Sequence, residues 1–135
     1  MQIDLDKIKK LPPDVKKDFM KMYLKLDEKK KILEYKDNFL SFAKHMWPEF
    51  IEGEHHKIIA NKFNQIAQGK IKRLIVNMAP WHTNSDFSSS LLPAWMIGRN
   101  PILKIIQTTH SGELAIRFGR KAKTLMDSQE YKQVF

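Results

Sequence analysis

Apolar residues recur through the first third of the chain at helical spacing. Val15, Phe19, Met22, Tyr23, Leu26 and Leu33 fall among lysines and acids, which places apolar side chains on one face of a helix. Pro12 and Pro13 suit a first turn, where the backbone N–H has no partner within the helix. The spacing predicts an amphipathic helix over residues 13–36. Its rhythm breaks at residues 28–31, leaving Ile32 and Leu33 to anchor the last turns, so fraying or projection from the body is expected there. Asp37 or Asn38 can cap a second helix carrying Phe39, Leu40, Phe42, Ala43 and Met46, which Pro48 ends. A third helix, residues 54–68, carries Ile58, Ile59, Phe63, Ile66 and Ala67, with Gly69 placed to close it.

The period then changes. Residues 74–78 (LIVNM) form a continuous apolar run of the kind found in buried parallel strands. A Pro-Trp-His-Thr-Asn-Ser turn follows, then a helix over residues 85–97, a break at residues 98–101, a second apolar run at residues 103–108 and a helix over residues 112–126. Strand, turn, helix, strand, helix is the order of a parallel sheet with helices stacked on its faces. Two strands do not complete such a sheet. The expectation is therefore an α/β fragment, the first part of something larger, behind a basic N-terminal helical segment over residues 1–36.

Composition narrows the function classes. The chain has 135 residues and no cysteine, which removes disulfides, thiolate metal sites and cysteine nucleophiles. Its longest nearly apolar stretch, residues 91–98, is far below the roughly 18 residues of a membrane span. Charged residues near Met1 leave no room for a signal-peptide core, so an intracellular protein with no membrane partner is expected. The 24 Lys and Arg against 15 Asp and Glu give a net charge of +9, compatible with a polyanionic partner. The excess lies at the two ends: residues 1–36 hold 11 Lys against 7 acids, and residues 101–135 hold 6 basic residues against 3 acids. Lys25, Lys29, Lys30 and Lys31 on the first helix, with Lys121 and Lys123 near the end, are the DNA-contact candidates. A solvated helix face explains the same lysines.

The turn between the first apolar run and its helix occupies the place of a phosphate loop. Such loops cradle phosphates with backbone N–H groups at a helix start, neutralise them with a lysine and bind magnesium through a Ser or Thr hydroxyl. Ser85 stands in the magnesium register, while Asn84, Thr83 and Met78 stand where the lysine and the two glycines belong. An ordinary strand-to-helix turn capped by Thr83 or Asn84 accounts for the residues as well.

Several segments taken in order resemble the large subunit of tailed-phage terminase, the ATP-driven motor that packages viral DNA: FLSFAKHMWPEF (39–50), EHHKIIANKFNQIAQGKIKRLIVNM (54–78), LLPAW (91–95), KIIQTT (104–109) and residues 113–135. The resemblance covers about 100 residues. It implies a P-loop NTPase-like ASCE fold over residues 37–135, with ATP and magnesium as cofactors. Double-stranded DNA, other terminase subunits and the portal would be partners, in the cytoplasm of an infected bacterial host. It assigns Pro80, Trp81, His82, Thr83, Asn84 and Ser85 to the nucleotide loop, Ser85 to magnesium and His56 to base recognition. The family loop reads Pro-Pro-Arg, two variable residues, then Lys-Ser. Here Ala79 replaces the first proline, Trp81 the arginine and Asn84 the lysine. Asparagine brings no positive charge, and tryptophan has no bidentate grip on phosphate.

No apolar run ending in paired acids follows the loop, so the Walker B carboxylates, the catalytic glutamate and the nuclease domain of the family are missing. The expectation is a truncated terminase fragment without hydrolysis of its own; the alternative is a non-enzymatic basic module or remnant that binds DNA or a motor subunit. Arg117, Arg120, Lys121 and Lys123 form a basic helix face, and Arg120 is the candidate trans-acting arginine. His55 and His56 are adjacent, so their side chains diverge by about 100° and do not make a metal pair. His110 and Ser111 lack a third acid placed for catalysis. Trp95 belongs to an apolar helix and is expected in the core, and Trp47 to pack the helical cap.

Overall fold

The computed structural model describes residues 12–78 and 84–135. Helices α1 (Pro13–Asp37), α2 (Phe39–Met46) and α3 (Glu54–Ala67) occupy the first half. Residues 71–78 are non-helical. Helix α4 (Asn84–Asp86) passes directly into a π-helical turn, Phe87–Leu91, and then α5 (Leu92–Arg99). Helices α6 (Gly112–Asp127) and α7 (Gln129–Val134) complete the order. The chain divides into two compact units, Met1–Ile32 and Leu33–Phe135. The first 20 residues of α1 belong to one unit and Leu33–Asp37 to the other.

The helix ends follow local chemistry. Asn38 caps α2: its Oδ1 accepts from the N–H of Leu40 at 2.9 Å and of Ser41 at 3.2 Å, occupying donors that a helix start leaves orphaned. Helix α3 ends ahead of Gly69, whose φ of 72° lies in the left-handed region that glycine enters without a Cβ penalty. Ser111 and Ser128 cap α6 and α7, accepting from Leu114 and Tyr131 N–H. Helix α7 is too short to show in the hydrophobic pattern, yet it buries Tyr131 and Val134.

The core is aromatic. Phe39 is fully buried and meets Phe63, Phe87 and Trp95 edge-on at centroid distances of 5.1, 4.8 and 5.4 Å, the geometry that ring quadrupoles favour. Trp95 is also fully buried, as its apolar helix implied, and its indole N–H donates to the Tyr35 carbonyl at 2.8 Å. Trp47 packs against Phe50 at the margin. The Tyr131 hydroxyl donates to the Ala94 carbonyl at 2.8 Å, tying α7 to α5.

The expected parallel sheet is not formed. Among the described residues there is no strand, so the structure is all-α and not an α/β P-loop-like (ASCE) fragment. Residues 73–78 and 103–109 are non-helical, as the change of period indicated. Among the described residues, however, no backbone hydrogen bond joins either run to another segment beyond Leu103 N–H to Asn100 O. Nor is either run buried on both faces: Ile75 is 85% exposed and Ile106 91%. A parallel strand gains its stability from ladder partners and from helices covering both faces. Apolar composition alone supplies neither.

Candidate functional site

The feature nearest the expected chemistry is an open groove of about 330 Å³ between α3 and residues 74–78. Ile58, Ile59, Leu74, Val76 and Met78 give it apolar walls, and His55, Lys62 and Asn77 supply the polar groups. Helical spacing creates the α3 side: positions 55, 58, 59 and 62 share one face. The site is mainly apolar with a few polar groups, the general composition of small-molecule sites.

His56, assigned by resemblance to base recognition, does not line this groove. It is buried, and its Nδ1 accepts from the Gly53 N–H at 3.0 Å. Its ring packs 4.7 Å from Phe50 and 5.4 Å from Phe87. The side chain closes the start of α3 and forms part of the core. His55 is the histidine on the groove. Adjacency in sequence suggested that the two rings diverge; their centroids instead lie 3.9 Å apart, at 45°.

Of the loop assignments, Pro80, Trp81, His82 and Thr83 lie outside the described residues. Asn84 opens α4, and Ser85 is exposed in that first turn. The neighbouring Asp86 pairs with Lys121 of α6 at 2.7 Å, so one DNA-contact candidate is engaged in an internal ion pair. Arg117, Arg120 and Lys123 are exposed on α6. Lys25, Lys29, Lys30 and Lys31 are exposed on α1, with Lys31 held 2.9 Å from Asp27. Among the described residues, no group of three or more His, Asp or Glu side chains is arranged to hold a metal ion.

No protein-family model, curated protein or solved structure matches this chain.

Besides α7, three features escaped sequence inspection. One is the π-turn, in which the N–H of Leu92 bonds to the Phe87 carbonyl. Its extra residue turns the preceding segment, Ser85 included, by about 100° relative to an uninterrupted α-helix. The second is Gln107, whose amide donates to the Ser89 carbonyl at 3.1 Å and anchors the second non-helical run to that turn. The third is an ion-pair cluster at the entrance to α3. Lys44 and Lys57 flank Glu52 and hold its carboxyl below the usual range, chiefly through the Lys44 hydrogen bond. Lys57 also bonds Glu54 at 2.6 Å, which raises the lysine's own pKa. Lys44 and Glu52 are eight residues apart, one on α2 and the other in the link to α3, so no helical spacing advertises the pair.

Proposed function

We propose that the chain is a nucleotide-binding piece related to the terminase large subunit, retaining a weak nucleotide site but no hydrolysis of its own. The observation that carries this is the groove itself. It joins residues 55–62 to residues 74–78, two parts of the long segment resembling the terminase ATPase. The run that forms one wall, residues 74–78, precedes Ser85 by a few residues in the sequence. The apolar walls suit a base, and Lys62 and His55 on the groove offer cationic and hydrogen-bonding groups to phosphates. The proposal rests on this juxtaposition and on segment order, without support from an α/β architecture.

Hydrolysis needs more than a nucleotide site. A loop with Asn84 and Trp81 in place of lysine and arginine supplies no charge to the outer phosphates, and the chain has no carboxylate pair after an apolar run to hold magnesium and direct water. ATP with magnesium is the ligand pair to test. DNA, motor subunits and the portal are the partners this function implies, in an infected cell's cytoplasm.

Titrating ATP into the isotopically labelled chain provides the test. Resonances of His55, Ile58, Lys62 and Val76 should shift with a dissociation constant in the millimolar range. Val76→Trp, which fills the groove, should abolish the shifts. Shifts confined to the lysines of α1 or α6, or none at several millimolar ATP, would refute the nucleotide site. The second function, a non-enzymatic basic module, is favoured by the exposed Arg117, Arg120 and Lys123 on α6 and by the absence of strands among the described residues.

A further inference from the structure

Helix α1 carries an exposed apolar stripe. Val15, Phe19, Met22 and Leu26 follow at steps of four, three and four, the alternation of a heptad seam whose core positions are 15, 19, 22 and 26. Val15, Met22 and Leu26 are about half exposed and Phe19 is partly covered. Met20 and Leu24 lie on the opposite side of the helix and continue no such repeat. We propose that this stripe is a self-association surface: α1 pairs antiparallel with α1 of a second copy of the chain. The proposal is independent of the nucleotide groove.

Charge chooses both the occupant and its direction. In an antiparallel pair centred between Met20 and Lys21, Val15 meets Leu26 of the second copy and Phe19 meets Met22, and symmetry repeats each layer. The positions flanking one side of the seam then bring Asp18 against Lys25 of the second copy, twice by symmetry. On the other side, Lys16 lies against Tyr23 of the second copy, a cation beside a ring. A parallel pair in the same seam does the reverse. It sets Lys25 beside Lys30 of the second copy and stacks Lys29 on Lys29 in the core, and like charges so placed oppose association. Lys29 thus ends the apolar seam and selects direction. Four mixed layers over about three helical turns make a short seam, so association is expected at high concentration only.

The chain has no cysteine, so introduced cysteines report geometry without background. Sedimentation equilibrium of the full chain from about 10 to 500 µM should show reversible dimerisation. Mixing V15C with L26C under mild oxidation should give a mixed disulfide, because the paired positions come within bridging distance. V15C alone should not cross-link, since its two copies lie about 16 Å apart along an antiparallel pair. D18K should weaken dimerisation about fivefold and D18K/K25D should restore it, while M20Q/L24Q should leave it unchanged. Circular dichroism of each variant separates loss of helix from loss of pairing. Self-cross-linking of V15C, failure of the charge swap to restore a helical variant, or a chain monomeric across the range would overturn the proposal.

Discussion

Phe39 shows how one side chain organises the larger unit. It opens α2, receives three aromatic edges and has no exposed surface. Its own N–H donates to Asn64 Oδ1 at 2.9 Å, so the same residue ties α2 to α3 through its backbone. Phe39→Ala should cost about 3 to 5 kcal/mol, the range for truncating a buried ring whose neighbours cannot collapse into the space. Urea unfolding would measure it, and a loss below about 1 kcal/mol would mean the aromatic cluster is not the core. The burial of Phe39 and Trp95 was legible in the sequence because helical spacing alone turns them inward. The role of His56 was not: its capping bond depends on the Gly53 N–H and its burial on Phe50 and Phe87, the latter 31 residues further along. At the loop, Asn84→Lys with Trp81→Arg should add two charge-assisted phosphate contacts and tighten ATP binding about tenfold or more. Calorimetry decides it, and an unchanged affinity in the folded double variant would exclude a phosphate loop.

At the scale of elements, the main helices were readable, while the sheet expected from the apolar runs is not formed, for one physical reason. A helix satisfies its own backbone, so period and caps within one segment define it. A strand's hydrogen bonds lie on another segment, and sequence read along the chain does not contain that partner. The runs at residues 74–78 and 103–108 are recognisable as non-helical, while their pairing was inferred from order alone and is absent among the described residues. The π-turn was equally hidden, because an extra residue within a helix leaves the apolar rhythm on either side intact. Gln107 holds that turn through the Ser89 carbonyl. Gln107→Ala should speed amide hydrogen exchange in residues 87–92 by several-fold while leaving α3 unchanged; equal protection in both proteins would show that the side chain is not a tether. The Glu52 cluster adds a pH dependence of definite sign. A carboxyl held below its unfolded value stabilises the fold above about pH 4.5, and that contribution is lost as pH falls through the folded-state value. Glu52→Gln should therefore narrow the difference in melting temperature between pH 7 and pH 3. The effect is small because the group is only partly covered and solvent still screens it.

For the molecule as a whole, the +9 charge matters through its placement. The DNA-contact candidates lie on α1 and α6, in separate compact units, dispersed over helix faces. Any DNA affinity should therefore be electrostatic, indifferent to sequence and steeply weakened by salt. Lys121 is paired with Asp86, so phosphate would have to compete with that carboxylate, whereas Lys25, Lys29 and Lys30 are exposed on α1. Changing Lys25, Lys29, Lys30 and Lys31 to Gln should flatten the slope of log affinity against log salt by about 0.9 for each phosphate that is no longer neutralised. If α6 carries the DNA, only replacement of Arg117, Arg120 and Lys123 should flatten it. The same α1 substitutions also act on the proposed self-association. Removing Lys25 takes away the partner of Asp18 at the proposed seam, yet replacing Lys29 relieves a charge that limits it. Fluorescence anisotropy with two unrelated duplexes across a salt series would measure both the slope and sequence preference. Salt-independent binding, or strong preference for one duplex, would defeat the electrostatic account and direct attention to a protein partner for the basic faces.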